Sequence, residues 1–288
     1  MDGGINSIKI YCMKKLVFLL SLSLWLFQAS VAEAARVDTL MVRSEKMNRS
    51  IPVLVTVPDG MQPYSQVPVV YLLHGFSNDE KFWLWFQPRL KQWADRDQVM
   101  IVTPDGEESW YWDSPLDPNC QFETFIAREL VEYVDSNYPT RANRLSRAIT
   151  GLSMGGHGGL WLGIRNKDVF GAAGSTSGGV DIRPFPENWE MSKQLGSYKE
   201  NKKRWDEHTV ITQLDKIKNM DLALIFDCGT EDFFYEVNCN LHKELMKRGI
   251  YHDFIVRPGG HNYYYWRNSI EYQWLFFKKF FEGYRPTL

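Results

Sequence analysis

Gly151-Leu152-Ser153-Met154-Gly155 is a G-x-S-x-G pentapeptide, followed at once by Gly156. The segment before it, Arg147–Thr150, is strand-like, and Leu160–Ile164 continues a helix after it. A serine at so tight a strand-to-helix turn is lifted clear of the sheet edge, and only small residues fit beside it. The chemistry this permits is acyl transfer. The hydroxyl attacks a carbonyl carbon, and the next backbone N–H, that of Met154, stands where the oxyanion forms.

A serine hydroxyl is a poor nucleophile near neutral pH. It needs a base within hydrogen-bond reach, and the base needs an orienting acid. At strand–turn–helix sites of this kind the chain order is serine, acid, histidine. The histidines after Ser153 are His157, His208, His242, His252 and His261. His157 lies one turn into the helix after the serine and reads as a packing residue. His208 falls in an irregular stretch, His242 on a helix face and His252 inside a strand. His261 follows Pro258-Gly259-Gly260 after the last strand. Catalytic groups of open α/β sheets gather at such strand ends, so His261 is the expected base. Asp227, Glu231 and Asp232 all follow the apolar run Leu222–Phe226 and are the candidate acids. Asp227 is nearest the strand and suits backbone capping. Asp232, in the loop beyond Gly229, is the expected acid. A second oxyanion donor should come from the loop after the third strand. That loop reads Leu72-Leu73-His74-Gly75-Phe76, which points to the N–H of Phe76 and leaves His74 a structural part.

These residues need a frame. Val37–Val42 and Ile51–Val57 read as strands, and Val67–Leu73 is nearly all apolar, as in a strand covered on both faces. Asp79–Ala94 and Phe122–Tyr138 have helical spacing, with the short apolar run Val99–Thr103 between them. Further on, Phe170–Ser175, Leu222–Phe226 and Tyr251–Val256 read as strands, with helices at Val237–Arg248 and Ile270–Phe281. Alternating strands and helices predict a doubly wound, mostly parallel sheet in one domain, residues 35–288. An irregular insertion near 178–215 is placed to cover the site.

Four motifs, taken in order, resemble the esterase D family. They are LLHGF (Leu72 to Phe76), GLSMGGHGG (Gly151 to Gly159), DCGTED (Asp227 to Asp232) and GGHNYYYW (Gly259 to Trp266). That family includes tributyrin esterases, feruloyl and acetyl-xylan esterase domains, S-formylglutathione hydrolases and mycobacterial mycolyltransferases. The resemblance implies the α/β-hydrolase fold and a Ser-Asp-His triad. The family's acid closes a G-x-x-D run, here Gly229 to Asp232, so the resemblance implies Asp232. It likewise implies Ser153, His261 and the oxyanion donors Phe76 and Met154. An acyl-enzyme mechanism of this type needs no cofactor and no metal. The alternatives are an acyltransferase using the same residues and a carbohydrate-binding protein on a retired scaffold.

The N-terminus bears on substrate. Lys14 and Lys15 follow Met13, an apolar stretch runs from Leu16 to Phe27, and Ala32-Glu33-Ala34 fits an A-x-A cleavage site. Charge, short apolar core and small-residue exit are the parts of a secretory signal, here residues 1–34 with a start at Met13. The apolar run falls short of the ~20 residues that cross a bilayer. Export to the periplasm or beyond disfavours a glutathione thioester and favours short-chain acyl or polysaccharide esters. Trp83, Trp85, Trp110, Trp112 and Trp266 lie in sequence near the expected mouth and are candidate substrate-stacking residues. With 33 basic and 35 acidic residues and a net charge of −2, nothing draws the chain to nucleic acid or, after cleavage, to a membrane. Cys120, Cys228 and Cys239 follow the leader, and export would permit a Cys228–Cys239 bridge.

Overall fold

A computed structural model of the chain describes residues 35–284. The expected leader, residues 1–34 with Met13 as start, lies outside the described residues. Among the described residues no helix is long and apolar enough to cross a membrane.

The sheet is built from runs that bury both faces. In β3 (Val69–Leu73), β4 (Met100–Pro104), β5 (Arg147–Gly151) and β6 (Ala172–Thr176) every residue is buried. Successive side chains of a strand point to opposite faces. In β3, Val69, Tyr71 and Leu73 accordingly enter one apolar cluster while Val70 and Leu72 enter another. β1 (Arg36–Ser44) and β2 (Arg49–Val57) precede these strands, and β7 (Ala223–Gly229) and β8 (Asp253–Arg257) follow them. The order across the sheet is β1-β2-β4-β3-β5-β6-β7-β8. The β1–β2 and β2–β4 pairs are antiparallel, and every later pair is parallel. This is the α/β-hydrolase arrangement. It brings the C-terminal ends of β3, β5, β7 and β8 to one edge, so that Phe76, Ser153, Asp232 and His261 all follow strands ending there.

Three local expectations change. The helix expected over Asp79–Ala94 is two helices, Phe82–Phe86 and Leu90–Asp97. Pro88 lies between them. It has no N–H to donate and pushes the residue before it out of helical geometry, and Gln87 has φ −126° and ψ 78°. The helix from Phe122 to Asn137 is π-helical over Phe125–Leu130. The last helix starts at Tyr263 rather than Ile270, because the Asn262 side chain caps it by accepting the N–H groups of Tyr264 and Tyr265 at 3.1 and 3.2 Å.

The stretch 178–215 is less irregular than its sequence reads. It holds the helices Met191–Leu195 and Lys202–Glu207 and the 3-10 segment Val210–Lys216. Val180, Ile182, Met191, Leu195, Trp205 and Val210 are buried in the main core. Asn238 Nδ2 donates to the Gly178 carbonyl at 2.9 Å and ties its start to the helix Tyr235–Lys247. Burial of so many side chains makes it a fixed wall rather than a loose flap.

Candidate active site

Ser153 stands between β5 and the helix Met154–Arg165 with φ 56° and ψ −116°. A positive φ is rare outside glycine, and a serine holds it only where its surroundings over-determine it. Here Ser153 N–H donates to the Thr176 carbonyl at 2.9 Å, and the Ser153 carbonyl accepts from His157 N–H at 2.9 Å. Packing closes the turn. A Cβ on Gly155 would come within 2.3 Å of the Leu73 carbonyl oxygen and 2.5 Å of that of His74.

The serine hydroxyl meets His261 Nε2 at 2.9 Å. The other ring nitrogen, Nδ1, lies 2.9 and 3.1 Å from the two carboxylate oxygens of Asp232. Asp232 is buried and also accepts the Phe234 N–H at 2.9 Å. Residues 29 and 108 positions apart thereby form one hydrogen-bond chain. A carboxylate on Nδ1 fixes the tautomer that leaves Nε2 free to accept a proton. The other two acid candidates are placed elsewhere. Glu231 is exposed. Asp227 is buried inside β7, where Thr176 Oγ1 and Gln273 Nε2 donate to it at 3.0 and 2.8 Å. Burial raises the Asp227 pKa, and those hydrogen bonds work against the rise.

Met154 is the first residue of its helix, and an N–H at that position has no carbonyl one turn back to bond. The Gly75–Phe76 turn lies against the same elbow. A Cβ on Gly75 would sit 2.8 Å from Leu152 Cδ1 and 3.6 Å from the Ser153 Cβ. His74 is fixed beneath that turn, with Nδ1 donating to the Gly75 carbonyl at 2.8 Å and Nε2 accepting from Gly106 N–H at 2.7 Å. The structural part expected for His74 is the one it plays.

The aromatic candidates divide. Trp83 is buried and donates its indole N–H to the Leu73 carbonyl at 2.8 Å. Trp110 and Trp112 are buried and stack on each other at 5.7 Å. None of these three has a face free for a substrate, so their expected stacking role is corrected to packing. The loop after β4 folds inward, with left-handed backbone at Trp110 and Tyr111 (φ 55° and 62°), and carries its rings under the site. Trp266 is buried edge-on against His261 at 4.8 Å. Only Trp85 is exposed, at 70%. Two further rings flank His261 that were not singled out from the sequence. Phe233 lies 4.3 Å from the imidazole and Phe234 5.5 Å from it. Trp189 of the insertion stacks on Phe233 at 5.6 Å, and Phe185 meets Phe234 edge-on at 5.0 Å. Their signal was present: two phenylalanines directly follow the expected acid.

The three cysteines of the described residues are free thiols, so Cys228 and Cys239 are not bridged. Burial holds the Cys228 thiol well above its ordinary pKa. Among the described residues no cluster of three or more His, Cys, Asp or Glu side chains is placed to hold a metal ion.

The family model described as "Putative esterase" matches residues 44–276, a span that takes in Ser153, Asp232 and His261. The chain belongs to this esterase family. It is a carboxylic-ester hydrolase. The esterase is 27% identical over 226 residues to the acetyl esterase of Caldicellulosiruptor saccharolyticus, covering 72% of this chain and 82% of that one. A solved ferulic acid esterase matches it with a TM-score of 0.75 and 25% identity, over 86% of this chain and 99% of that one. FphF, a fluorophosphonate-binding serine hydrolase of Staphylococcus aureus, shares the fold with a TM-score of 0.75 at 21% identity, over 85% of this esterase and 99% of its own chain.

Proposed function

We propose that this esterase is exported through the leader at residues 1–34 and hydrolyses short-chain acyl or plant-polysaccharide (acetyl or feruloyl) esters through an acyl-enzyme on Ser153. The observation that carries the reading is the hydrogen-bond chain from Ser153 Oγ through His261 to Asp232. The names of an acetyl esterase and a ferulic acid esterase among the similar proteins support the substrate class.

In the first step His261 Nε2 takes the Ser153 proton as Oγ attacks the ester carbonyl. Asp232 stabilises the imidazolium that results. The backbone N–H groups of Met154 and Phe76 hold the oxyanion, and loss of one such donor typically lowers kcat by ~10²-fold or more. As the tetrahedral intermediate collapses, the imidazolium gives its proton to the leaving alcohol. Water then enters, His261 takes its proton, and the hydroxide displaces Ser153 from the acyl group. The second collapse returns the proton to Oγ and releases the acid.

The test is turnover of p-nitrophenyl acetate, p-nitrophenyl butyrate, methyl ferulate and acetylated xylan by the native protein and by Ser153→Ala. Turnover that vanishes in the variant is expected. Equal turnover by Ser153→Ala would remove the serine from the mechanism. Transfer of the acyl group to added methanol in preference to water would move the reading to an acyltransferase.

A further inference from the structure

A row of aromatic rings leads away from His261 along the protein surface. Trp266 lies edge-on to the imidazole at 4.8 Å, and Tyr263 meets Trp266 at 5.6 Å. Trp85 meets Tyr263 at 6.5 Å and 81°. Exposure grows along the row. Trp266 is buried, while Tyr263, Trp85 and the neighbouring Tyr264 are 51%, 70% and 91% exposed. Large apolar side chains gathered this way on a surface mark a contact with something else.

The row is held rigidly. Tyr263 also packs on Phe82 and Phe86 at 6.1 and 5.6 Å, and Asn262 fixes the first turn of its helix. Arg267 donates to the Phe86 carbonyl at 3.1 Å, and its guanidinium lies over the Phe86 ring at 5.2 Å. Beside the row a groove of about 440 Å³ is lined by Tyr263, Tyr264, Arg267, Asn268 and Glu271. Its lining joins two tyrosine rings to three side chains that can hydrogen-bond. Arg267 and Glu271 bring one positive and one negative group to its lining, and Glu271 also accepts from Arg89 at 3.0 Å. The indole N–H of Trp266 is buried without a hydrogen-bond partner.

We infer that this surface is a subsite for the alcohol half of the ester, and that its occupant is a neutral saccharide chain. The inference rests on the proposed role of His261 as proton donor to the leaving alcohol. That role has the alcohol oxygen leave beside His261 Nε2, and the row begins at Trp266, 4.8 Å from that imidazole. A pyranose ring presents flat C–H faces to aromatic rings and hydroxyls around its edge to Arg, Asn and Glu side chains. A surface of stacking faces and polar edges with no large excess of either charge suits that chemistry. A strongly charged polymer would need an excess of the opposite sign.

The test compares acetylated monosaccharides with acetylated xylo-, manno- and gluco-oligosaccharides of increasing length, using the native protein, Trp85→Ala, Tyr264→Ala and the double variant. For the native protein kcat/KM is expected to rise with chain length for at least one series. In the double variant KM for the longer chains rises about tenfold, as expected for loss of two stacking faces, with kcat held. Turnover of p-nitrophenyl acetate, which carries no sugar, stays within about twofold. Three results overturn the subsite: no chain-length dependence in any series, equal loss on p-nitrophenyl acetate and on saccharide esters, or a change of oligomeric state in the double variant with saccharide kinetics untouched. Failure of the underlying esterase reading is separate, since it shows in the Ser153→Ala control on p-nitrophenyl acetate.

Discussion

His157 and His261 both sit among aromatic rings, one on the buried side of the serine's helix and the other at the mouth. His157 lies edge-on to Trp110 and Trp112 at 5.2 and 5.3 Å and stacks on Trp161 at 5.8 Å. His261 lies edge-on to Trp266 and Phe234 and tilts against Phe233. The ring environments are alike, and the difference lies in what each nitrogen meets. His157 Nδ1 donates to the Gly179 carbonyl at 3.0 Å, and Nε2 accepts the Trp112 indole N–H at 2.8 Å. Both nitrogens have fixed partners, and neither partner can exchange a proton near neutral pH. His261 has a carboxylate behind it and a hydroxyl in front. Burial pushes the His157 pKa down to about 3, so it stays neutral across the working range. Similar aromatic surroundings thus hold one histidine with both nitrogens bonded to fixed partners and another between a carboxylate and a hydroxyl, the setting the proposed base needs.

The sharpest way to break this comparison is at His261. His261→Ala should lower kcat/KM for p-nitrophenyl acetate by about 10³–10⁴-fold while the melting temperature shifts little. Asp232→Asn should follow with a loss of about 10³-fold, because the amide no longer holds the tautomer that frees Nε2. A loss under tenfold in steady-state kinetics would count against Asp232 as the orienting acid. His157→Leu should show the opposite balance. The Trp112 N–H and the Gly179 carbonyl would lose their buried partner, at about 2–3 kcal/mol in urea unfolding, with activity of the folded fraction retained.

A smaller effect concerns pH. The folded value for His157 lies below the ordinary 6.5, so between about 3 and 6.5 the unfolded chain binds the proton that the fold refuses. Stability from this group is complete above pH 6.5 and falls as the pH drops through that window, with a limiting slope of about 1.4 kcal/mol per unit. Urea midpoints measured from pH 7 to pH 4 should fall less steeply for His157→Gln than for the native protein. The smallest effect is expected at Phe233→Ala, where KM for methyl ferulate should rise about threefold with the Ser153 chemistry intact, as for loss of one aromatic contact.

Much of this was legible in the chain. The buried strands β3 and β4 read as short apolar runs because both of their faces are covered. His261 stood out because it alone follows a strand through a Gly-Gly turn. Asp232 was harder, since three acids share one strand end: Asp227 is buried inside the sheet, Glu231 is exposed, and of the three Asp232 is the one that meets His261. The tryptophans misled because nearness in sequence to a mouth loop says nothing of which way the loop folds. The loop carrying Trp110 and Trp112 turns inward through two left-handed residues that no local pattern announces. The insertion read as irregular because its two short helices are held by tertiary burial rather than by caps or periodicity.

The closeness of Gly155 to the Leu73 and His74 carbonyls has a consequence for how such a gene can change. Every side chain one base away from a glycine codon would place a carbon atom inside an oxygen's radius, and the obstacle is backbone that cannot swing aside. Phe233, Trp85 and Tyr264 carry no such obstacle, being at least half open to solvent. Substitution is therefore open to this chain at its rim, whereas the backbone around position 155 admits glycine alone.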